Sequence, residues 1–266
     1  MGVEISANLV LLFALENFLS QINSFRPISL ANLDKVKLLN RVDTKFVFHQ
    51  AKLPLILEAM SSSYRSLDID ENRIFSYKSH YLDGDNYPFY LAHHNGKMNR
   101  VKVRFRNYAD TGSTYLEVKF KSNKGRTIKQ RMPSGEFSYP LSEDALLFLS
   151  EVSGIKILLS PALLNSFKRI TLVDDAEMER VTFDVGLQYS MNGSVVSLDG
   201  IVVAEVKQDT LNRQSSVMRK LKDLCIYPSS FSKYCMGMAL LNPGIKHNRF
   251  RPGILALQKL TQIHSY

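Results

Sequence analysis

The stretch RVKVRFR at Arg100–Arg106 places a cation on every second residue, with an apolar residue between each pair. Two later stretches repeat the pattern less strictly, EVKFK at Glu117–Lys121 and TIKQR at Thr127–Arg131. This period of two predicts β-strands, because successive side chains of a strand point to opposite faces of the sheet. The residues between the stretches, Asp110–Gly112 and Ser122–Gly125, are typical of hairpin turns and predict antiparallel neighbours.

The three strands together predict a sheet with one densely basic face. Like charges on neighbouring strands repel each other, so such a face indicates a strongly anionic ligand. The whole chain agrees, since its 266 residues carry a formal net charge of +9 and a pI near 9.4. Nucleic acid, an anionic membrane surface, nucleotides and inorganic phosphates all fit this charge. At 45% hydrophobic residues, the chain is long enough to bury a full core.

Cysteine usage and hydropathy predict a cytoplasmic protein with no transmembrane segment. Cys225 and Cys235 are too few for a disulfide framework and offer no second pair for a zinc site. The apolar run Leu9–Leu15 is too short to span a bilayer. It follows Glu4 rather than a basic stretch, which does not fit a signal peptide.

Apolar periodicity and turn residues predict the remaining elements. Helices are predicted at Val3–Ile22, Leu30–Leu39, Leu53–Met60, Glu143–Val152, Arg213–Leu224, Phe231–Leu241 and Ile254–Ile263. Further strands are predicted at Val42–Phe48, Ile74–Asp83, Asn165–Leu172, Arg180–Gln188 and Gly200–Lys207. The chain shows no internal repeat and no linker long enough to separate domains.

Three of the predicted strands pair an acidic residue with a cation on the same face. They contain Glu117 with Lys119, Asp184 with Arg180, and Glu205 with Lys207. Arginine and lysine hold phosphate oxygens, and carboxylates hold a hard divalent cation. The pattern therefore predicts a metal and phosphate site, although a plain salt-bridge role stays open for Glu117 and Glu205.

A longer series of motifs resembles one known family, the catalytic domain of the vacuolar transporter chaperone (VTC). This domain is the polyphosphate polymerase branch of the triphosphate tunnel metalloenzymes. The motifs follow the family order from about Arg41 to about Leu241, namely RVDTK at 41–45, YLD at 81–83, KVRFR at 102–106, EVK at 117–119, KQR at 129–131, KR at 168–169, RVTFD at 180–184, EVK at 205–207 and SK at 232–233.

For the fold, the resemblance implies an α+β protein. A closed antiparallel β-barrel of about eight strands would form a basic tunnel, with helices packed outside. The expected organisation is N-terminal helices in residues 1–40, the barrel domain in residues 41–241 and a C-terminal helical tail in residues 242–266.

For function, the resemblance implies transfer of the γ-phosphate of ATP onto a growing polyphosphate chain, with Mn²⁺ or Mg²⁺ as cofactor. The expected catalytic residues are Lys233, Arg104 and Arg106, and the expected metal ligands are Glu205 and Glu117. The residues expected to bind phosphate are Lys45, Lys102, Arg104, Arg106, Lys119, Lys129, Arg131, Arg169, Arg180, Lys207 and Ser232.

The first barrel strand departs from the wider superfamily in a useful way. Many tunnel triphosphatases and cyclases begin with Glu-x-Glu-x-Lys, whereas Arg41–Lys45 has one acid, Asp43. Fewer carboxylates favour the polymerase over the alternative enzyme, an inorganic or nucleoside triphosphatase. A non-catalytic sensor of polyphosphate or nucleotides also stays open.

The sequence also bears on nucleic acid and on a membrane as partners. Phe105 and Phe120 fall on the face opposite the cations, where they cannot stack bases, so the pattern disfavours nucleic acid. Any membrane partner is expected to be a separate protein, and the expected ligands are ATP, inorganic polyphosphate and other triphosphates.

Overall fold

Eleven strands form one sheet in the computed structural model, which describes residues 19–35, 41–123, 127–155 and 157–262. The sheet is antiparallel except where β1 and β3 pair. The strands are β1 (Arg26–Ile28), β2 (Val42–His49), β3 (Arg65–Leu67), β4 (Ile74–Asp83), β5 (Arg100–Tyr108), β6 (Ser113–Lys121), β7 (Thr127–Pro133), β8 (Ser160–Asp174), β9 (Glu179–Met191), β10 (Ser194–Leu198) and β11 (Ile201–Gln208). The main path runs β2-β11-β9-β8-β4-β5-β6-β7.

The predicted closed barrel is wrong, because the two ends of this path, β2 and β7, do not pair with each other. A loop segment already occupies the outer edge of β2. There the amide of Ser229 donates to the carbonyl of Lys45 at 2.8 Å, and Phe46 forms a bridge with Pro228. Backbone groups that barrel closure would need are therefore bonded elsewhere, and the sheet is open and barrel-like.

The open sheet is nevertheless strongly curved. Residues from β2 and β11 at one end of the path line the same cavity as residues from β5, β6 and β7 at the other end. The alternating cations predicted for β5 and β6 point into this concave side. The apolar residues between them, such as Val103, Phe105 and Val118, are buried on the other side.

Within the described residues, the helices with assigned bounds are α1 (Leu30–Lys35), α2 (Leu53–Met60), α3 (Pro88–His94), α4 (Glu143–Ser153), α5 (Ser216–Asp223), α6 (Lys233–Leu241) and α7 (Arg251–Gln262). Helices α2 and α5 bury their apolar faces against β2, β8, β9 and β11 in the main core. Helix α4 covers the apolar side of β5 and β6. These three helices thus bury the convex side of the sheet.

Helix α6 packs against β8 and β9 and carries residues of the concave side. Its Gly237 lies so close to the sheet that a Cβ there would come within 2.5 Å of the Tyr189 ring. Tyr234 on the same helix stacks on Tyr81 of β4, with ring centres 4.9 Å apart. This close approach fixes the start of α6, where Ser232 and Lys233 lie, next to the basic face.

The N-terminal helix predicted at Val3–Ile22 lies largely outside the described residues, although residues 19–24 are helical. The helix predicted at Leu30–Leu39 is observed as α1 up to Lys35, and residues 36–40 also lie outside the description. Among the helices that the structure describes, none combines the length and the apolar character needed to cross a membrane.

Candidate functional site

Glu117 of β6 lies between two cations of neighbouring strands. The Arg104 guanidinium donates twice to its Oε2, from Nε at 2.9 Å and from Nη2 at 2.7 Å. The Lys129 ammonium lies 2.5 Å from Oε1. Glu117 is 2% exposed, and burial alone would oppose its ionisation, but Arg104 and Lys129 outweigh burial and hold its pKa at about 2.

Asp184 of β9 holds a second group of cations. It binds Arg169 through two hydrogen bonds, from Nε to Oδ1 at 2.6 Å and from Nη2 to Oδ2 at 2.8 Å. Lys233, the first residue of α6, donates to the same Oδ2. Burial opposes ionisation of Asp184, but these two cations hold its pKa well below the usual range.

Arg106 lies between these two groups and has a different environment. Arg106 is 4% exposed. Its side chain makes no hydrogen bond or ion pair with the described part of the chain. Its guanidinium carbon lies 5.2 Å from the centre of the Tyr77 ring and 5.3 Å from that of Phe167. Burial, with Arg104 nearby, lowers its pKa to about 10.

We call this group the arginine cluster; it comprises Arg104, Arg106, Arg169, Lys129, Lys233, Glu117 and Asp184. Five cations face two carboxylates in it. Each carboxylate is shared by two of the cations, and Arg106 is the cation that is buried against aromatic rings instead. A buried charge without a partner is unfavourable, so this cluster is electrostatically incomplete without an anion.

A cavity of about 530 Å³ adjoins the arginine cluster. Lys45, Lys102 and Lys119 line it together with Glu205 and Ser232. The Lys102 ammonium donates to the Ser232 hydroxyl at 2.8 Å, and that hydroxyl also caps α6 by accepting from the Cys235 amide. Burial, with Lys45 and Lys119 nearby, lowers the pKa of Lys102 to about 8. Lys102 therefore lies close to its point of neutralisation in the ligand-free protein.

Glu205 is the carboxylate of this cavity. Lys207 donates to one of its oxygens, and the Lys45 ammonium lies 3.8 Å from the other. Lys45 is held in place by the carbonyl of Phe231, to which it donates at 3.0 Å. Burial opposes ionisation of Glu205, but Lys207 and Lys45 hold its pKa well below the usual range, so it is a carboxylate at neutral pH.

Most of the predicted site residues come together in these two places. Lys45, Lys102, Lys119, Glu205 and Ser232 line the cavity, and Lys207 lies beside Glu205. The predicted residues of the arginine cluster are Arg104, Arg106, Glu117, Lys129, Arg169 and Lys233.

The remaining two predicted phosphate ligands lie opposite members of these groups in the sheet, Arg131 across from Glu117 and Arg180 across from Lys207, but have contacts of their own. Arg131 is exposed on β7, with its guanidinium carbon 4.6 Å from the centre of the Tyr115 ring. Arg180 donates to the carbonyl of Leu33 in α1 at 2.8 Å, which ties the N-terminal part to β9.

Sequence reasoning missed several residues that shape the site. Asp184 was seen as part of an alternating strand but not as the anchor of Arg169 and Lys233. Tyr77 and Phe167, which flank Arg106, stack on each other with ring centres 5.3 Å apart. The signal that could have found Tyr77 was its position on the polar-facing side of β4, where Tyr81 also lies.

The carboxylates of the site differ in how well they suit a metal ion. In the described ranges, no three side chains of His, Cys, Asp or Glu come together in a way that could hold a metal ion. A single carboxylate still suits Mg²⁺ or Mn²⁺ when phosphate oxygens and water supply the other ligands. Glu205 fits that role better than Glu117, because it lines the cavity and its Oε1 lies 3.8 Å from the Lys45 ammonium. Each oxygen of Glu117 has a cation within hydrogen-bonding distance.

The fold and the site together define an open antiparallel sheet whose concave side carries a strongly basic, partly buried group of side chains. The chain belongs to the VTC domain family, whose characteristic sequence pattern matches residues 40–242. The resemblance stated from the motifs is thereby confirmed. No match was found among curated proteins.

Three solved structures with a similar arrangement are distant in sequence. A proposed adenylate cyclase from Bacillus halodurans is 14% identical, with 73% of this chain and 94% of that chain covered, at a TM-score of 0.46. A proposed adenylyl cyclase from Hippeastrum with a dominant triphosphatase activity is 12% identical, with 75% and 95% covered, at 0.45. A protein from Pyrococcus horikoshii OT3 is 11% identical, with 75% and 98% covered, at 0.42.

Proposed function

We propose that this protein is a polyphosphate polymerase that transfers the γ-phosphate of ATP to the end of an inorganic polyphosphate chain. In this reaction a terminal oxygen of the polymer forms a bond to the γ-phosphorus. The bond from that phosphorus to the β–γ bridging oxygen breaks, and ADP leaves with the electron pair.

The observation that carries the proposal is the burial of the Arg106 side chain without a negatively charged partner among the described residues. Arg106 is 4% exposed, its buried Nε has no hydrogen-bond partner, and the described residues offer its guanidinium no ion pair, so a ligand with negative charge would stabilise it. Two more guanidinium groups, those of Arg104 and Arg169, lie close enough to affect its pKa. Three arginines around one position suit the three equatorial oxygens of a phosphoryl group in transfer.

The proposed roles follow from the placement of the side chains. Arg104, Arg106 and Arg169 would hold the transferring phosphoryl group, and Lys45, Lys102 and Lys119 would hold the adjoining phosphates. Lys233 would neutralise charge that develops on the bridging oxygen, because its ammonium already lies against Asp184 beside Arg169. A divalent cation at Glu205 would supply further charge neutralisation at phosphate oxygens.

The pairing of the carboxylates supports polymer as acceptor rather than water. Glu117, Asp184 and Glu205 each contact two cations. A carboxylate held well below its usual pKa is a poor base for activating water. A triphosphatase of the same fold would need such a base or a metal-bound water, so the arrangement favours the transferase.

The proposal places the reaction in the cytoplasm, where ATP is abundant and thiols are reduced. Both cysteines are free in the structure, with Cys225 exposed and Cys235 buried, which suits a reducing compartment. A partner that anchors the protein to a membrane would be a separate chain.

The proposal is tested by incubating the purified protein with ATP and Mn²⁺ or Mg²⁺ and following the products by ³¹P NMR. We expect a growing signal from internal phosphate groups of a polymer, with ADP released in step. Lys233→Ala should abolish this signal and change tripolyphosphate affinity by less than about threefold, since Arg169 still neutralises Asp184. The exposed Lys259→Ala serves as the control and should retain full activity.

Other outcomes would replace the proposal. Orthophosphate without internal phosphate groups would make the protein a triphosphatase. Intact ATP together with tight tripolyphosphate binding would make it a sensor without turnover. Equal loss of binding and activity in Lys233→Ala would remove this residue from the catalytic set.

A further inference from the structure

The cavity beside the arginine cluster has two chemically different walls. One wall is basic and comes from the sheet, with Lys45, Lys102 and Lys119. The other wall is apolar and is formed by residues 231–250, with Phe231, Met236 and Phe250. An inorganic polyphosphate has no apolar surface to place against the second wall. A wall of this kind beside a phosphate site instead suits a ligand that joins phosphates to a ring system.

Phe250 lies on a short 3-10 turn, Asn248–Phe250, that is clamped to helix α3. The imidazole of His94 pairs with the Asn248 side chain through Nε2 and Oδ1, 2.7 Å apart, and the Arg249 guanidinium donates to the carbonyl of His94 at 3.3 Å. A little upstream, the Tyr90 hydroxyl donates to the carbonyl of Lys246 at 3.0 Å. These bonds hold the turn in one position, so Phe250 presents a fixed ring to the cavity.

His93, the neighbour of His94 on α3, lines the cavity beside Phe250. Their ring centres lie 5.9 Å apart at 89°. The Nδ1 of His93 lies 3.0 Å from the sulfur of buried Cys235, which orients the ring. Burial, with Lys102 and Arg100 nearby, lowers the pKa of His93 to about 3, so its ring is neutral at pH 7. A neutral imidazole is a hydrogen-bonding group that adds no charge to an already basic cavity.

Phe250 lies beyond residue 242, where the match to the VTC domain family ends. The wall that it forms with His93 is therefore built partly by sequence outside the family pattern. A residue in such a position can set which donor an enzyme accepts without altering the phosphate-handling residues that the family shares.

We propose that Phe250 and His93 form a nucleobase site, in which the base of a nucleoside triphosphate stacks on Phe250 while its phosphates extend towards the arginine cluster. This inference rests on the proposed function, because it assigns the donor of that reaction to the nucleotide class. The cavity volume of about 530 Å³ is in the usual range for sites that bind ligands of nucleotide size.

Binding without turnover tests the site. The dissociation constants of the β,γ-imido analogue of ATP and of inorganic tripolyphosphate are measured by calorimetry for the wild-type protein and Phe250→Ala. Stacking of a base on an aromatic ring is usually strong enough that its loss weakens binding by about tenfold or more. We expect that loss for the nucleotide and a change of less than twofold for tripolyphosphate.

Two further variants keep the test decisive. Phe250→Leu retains most of the bulk against Tyr90 and His94 but removes the aromatic ring, so it should reproduce the selective loss even if the alanine variant is unstable. Leu255→Ala, at a position 48% exposed on α7, is the matched control and should change neither constant.

Parallel weakening of both ligands in Phe250→Leu would overturn the inference, because it would mean that Phe250 supports the fold of the cavity only. Unchanged nucleotide binding would overturn it as well. Selective nucleotide loss in a protein that makes no polymer would leave the nucleobase site standing and refute the polymerase, so the two proposals fail separately.

Discussion

At the residue scale, the charges of the concave side are organised by what each cation touches. Arg104 and Arg169 each bind a carboxylate with two nitrogens, so their positions are fixed. Arg106 is held by Tyr77 and Phe167 instead and keeps its full charge. The paired arginines therefore shape the site, and Arg106 adds a buried charge that neither carboxylate of the cluster binds.

Replacing Arg106 with methionine should stabilise the ligand-free protein while weakening ligand binding. The change removes a buried charge without a partner and keeps an unbranched chain between the rings, which should add on the order of 1 kcal/mol to the free energy of unfolding. Urea denaturation and tripolyphosphate calorimetry measure the two effects. Lys78→Met, on exposed Lys78 of β4, changes the net charge equally and should do neither. Lower stability with unchanged affinity would contradict the role of Arg106.

The pH dependence of binding should report the ionisation of Lys102. Its pKa in the folded protein is about 8, against an ordinary value of 10.5. Since the unfolded chain binds more protons between these values, the stability of the ligand-free protein should rise from pH 8 to 10.5. Affinity for tripolyphosphate should instead fall above pH 8, as Lys102 loses the charge that faces Lys45, Lys119, Tyr81 and Cys235.

Lys102→Arg is the matched variant for this pH series, because a guanidinium stays charged throughout. The difference between the two proteins in affinity for tripolyphosphate should grow as the pH rises from 7 to 9.5. Parallel pH curves from calorimetry would show that another group controls the titration.

Sequence patterns were sufficient to find most of the site at this scale, since alternation in β5 and β6 sends Lys102, Arg104 and Arg106 to one side. They could not tell which cations are paired. Whether Arg104 or Arg106 meets Glu117 depends on the register of β5 against β6, where Arg104 lies opposite Glu117 and Arg106 opposite Tyr115. That register is a long-range property of the sheet.

At the scale of elements, helix α3 was not predicted, although its His93 lines the cavity and contacts Cys235 of α6. It is short, begins with Pro88 and follows Tyr87 in a left-handed conformation with φ of 57°, so apolar periodicity alone gives little signal. Its stability comes from Asp83, which accepts from the amides of Phe89 and Tyr90 at 2.9 Å each. The long strands were easier to predict, because alternation over eight or more residues is a specific signal for a strand.

Replacing Asp83 with alanine should destabilise the protein by roughly 3 kcal/mol. The carboxylate also accepts from the Gly84 amide and from the Tyr234 hydroxyl, at 2.8 and 2.6 Å, so its loss leaves several buried donors unsatisfied. Urea denaturation measures the change. Asp85→Ala, two residues away and exposed, should stay within about 0.5 kcal/mol of the wild type. Similar stability of both variants would mean that α3 holds its position without this cap.

At the scale of the whole molecule, curvature rather than closure creates the binding site. The charge pattern predicted a sheet with one densely basic face, and the lysines of β2, β5 and β6 that line the cavity agree with it. Closure could not be predicted from alternation, because it depends on whether β2 keeps its outer edge free. The segment at Pro228 and Ser229 occupies that edge, and nothing in its sequence marks it as a strand partner.

Ligand binding should stabilise the folded protein strongly, because the concave side repels itself when no anion is bound. A ligand at one hundred times its dissociation constant adds about 2.7 kcal/mol, which should raise Tm by roughly 5–10 °C. Differential scanning calorimetry with tripolyphosphate measures the shift, with adenosine and matched sodium chloride as controls. A Tm that does not move at millimolar tripolyphosphate would contradict an anion site on the concave side.

The open side of the sheet has a consequence for solubility. Strand β7 pairs only with β6 among the described strands, and an unpaired strand edge invites the edge of another molecule. Lys129 and Arg131 on this exposed strand repel the same strand of a second copy, which guards against aggregation. Polyphosphate that accumulates in solution would screen this repulsion. The concentration of the polymer therefore bears on how well the protein stays dispersed.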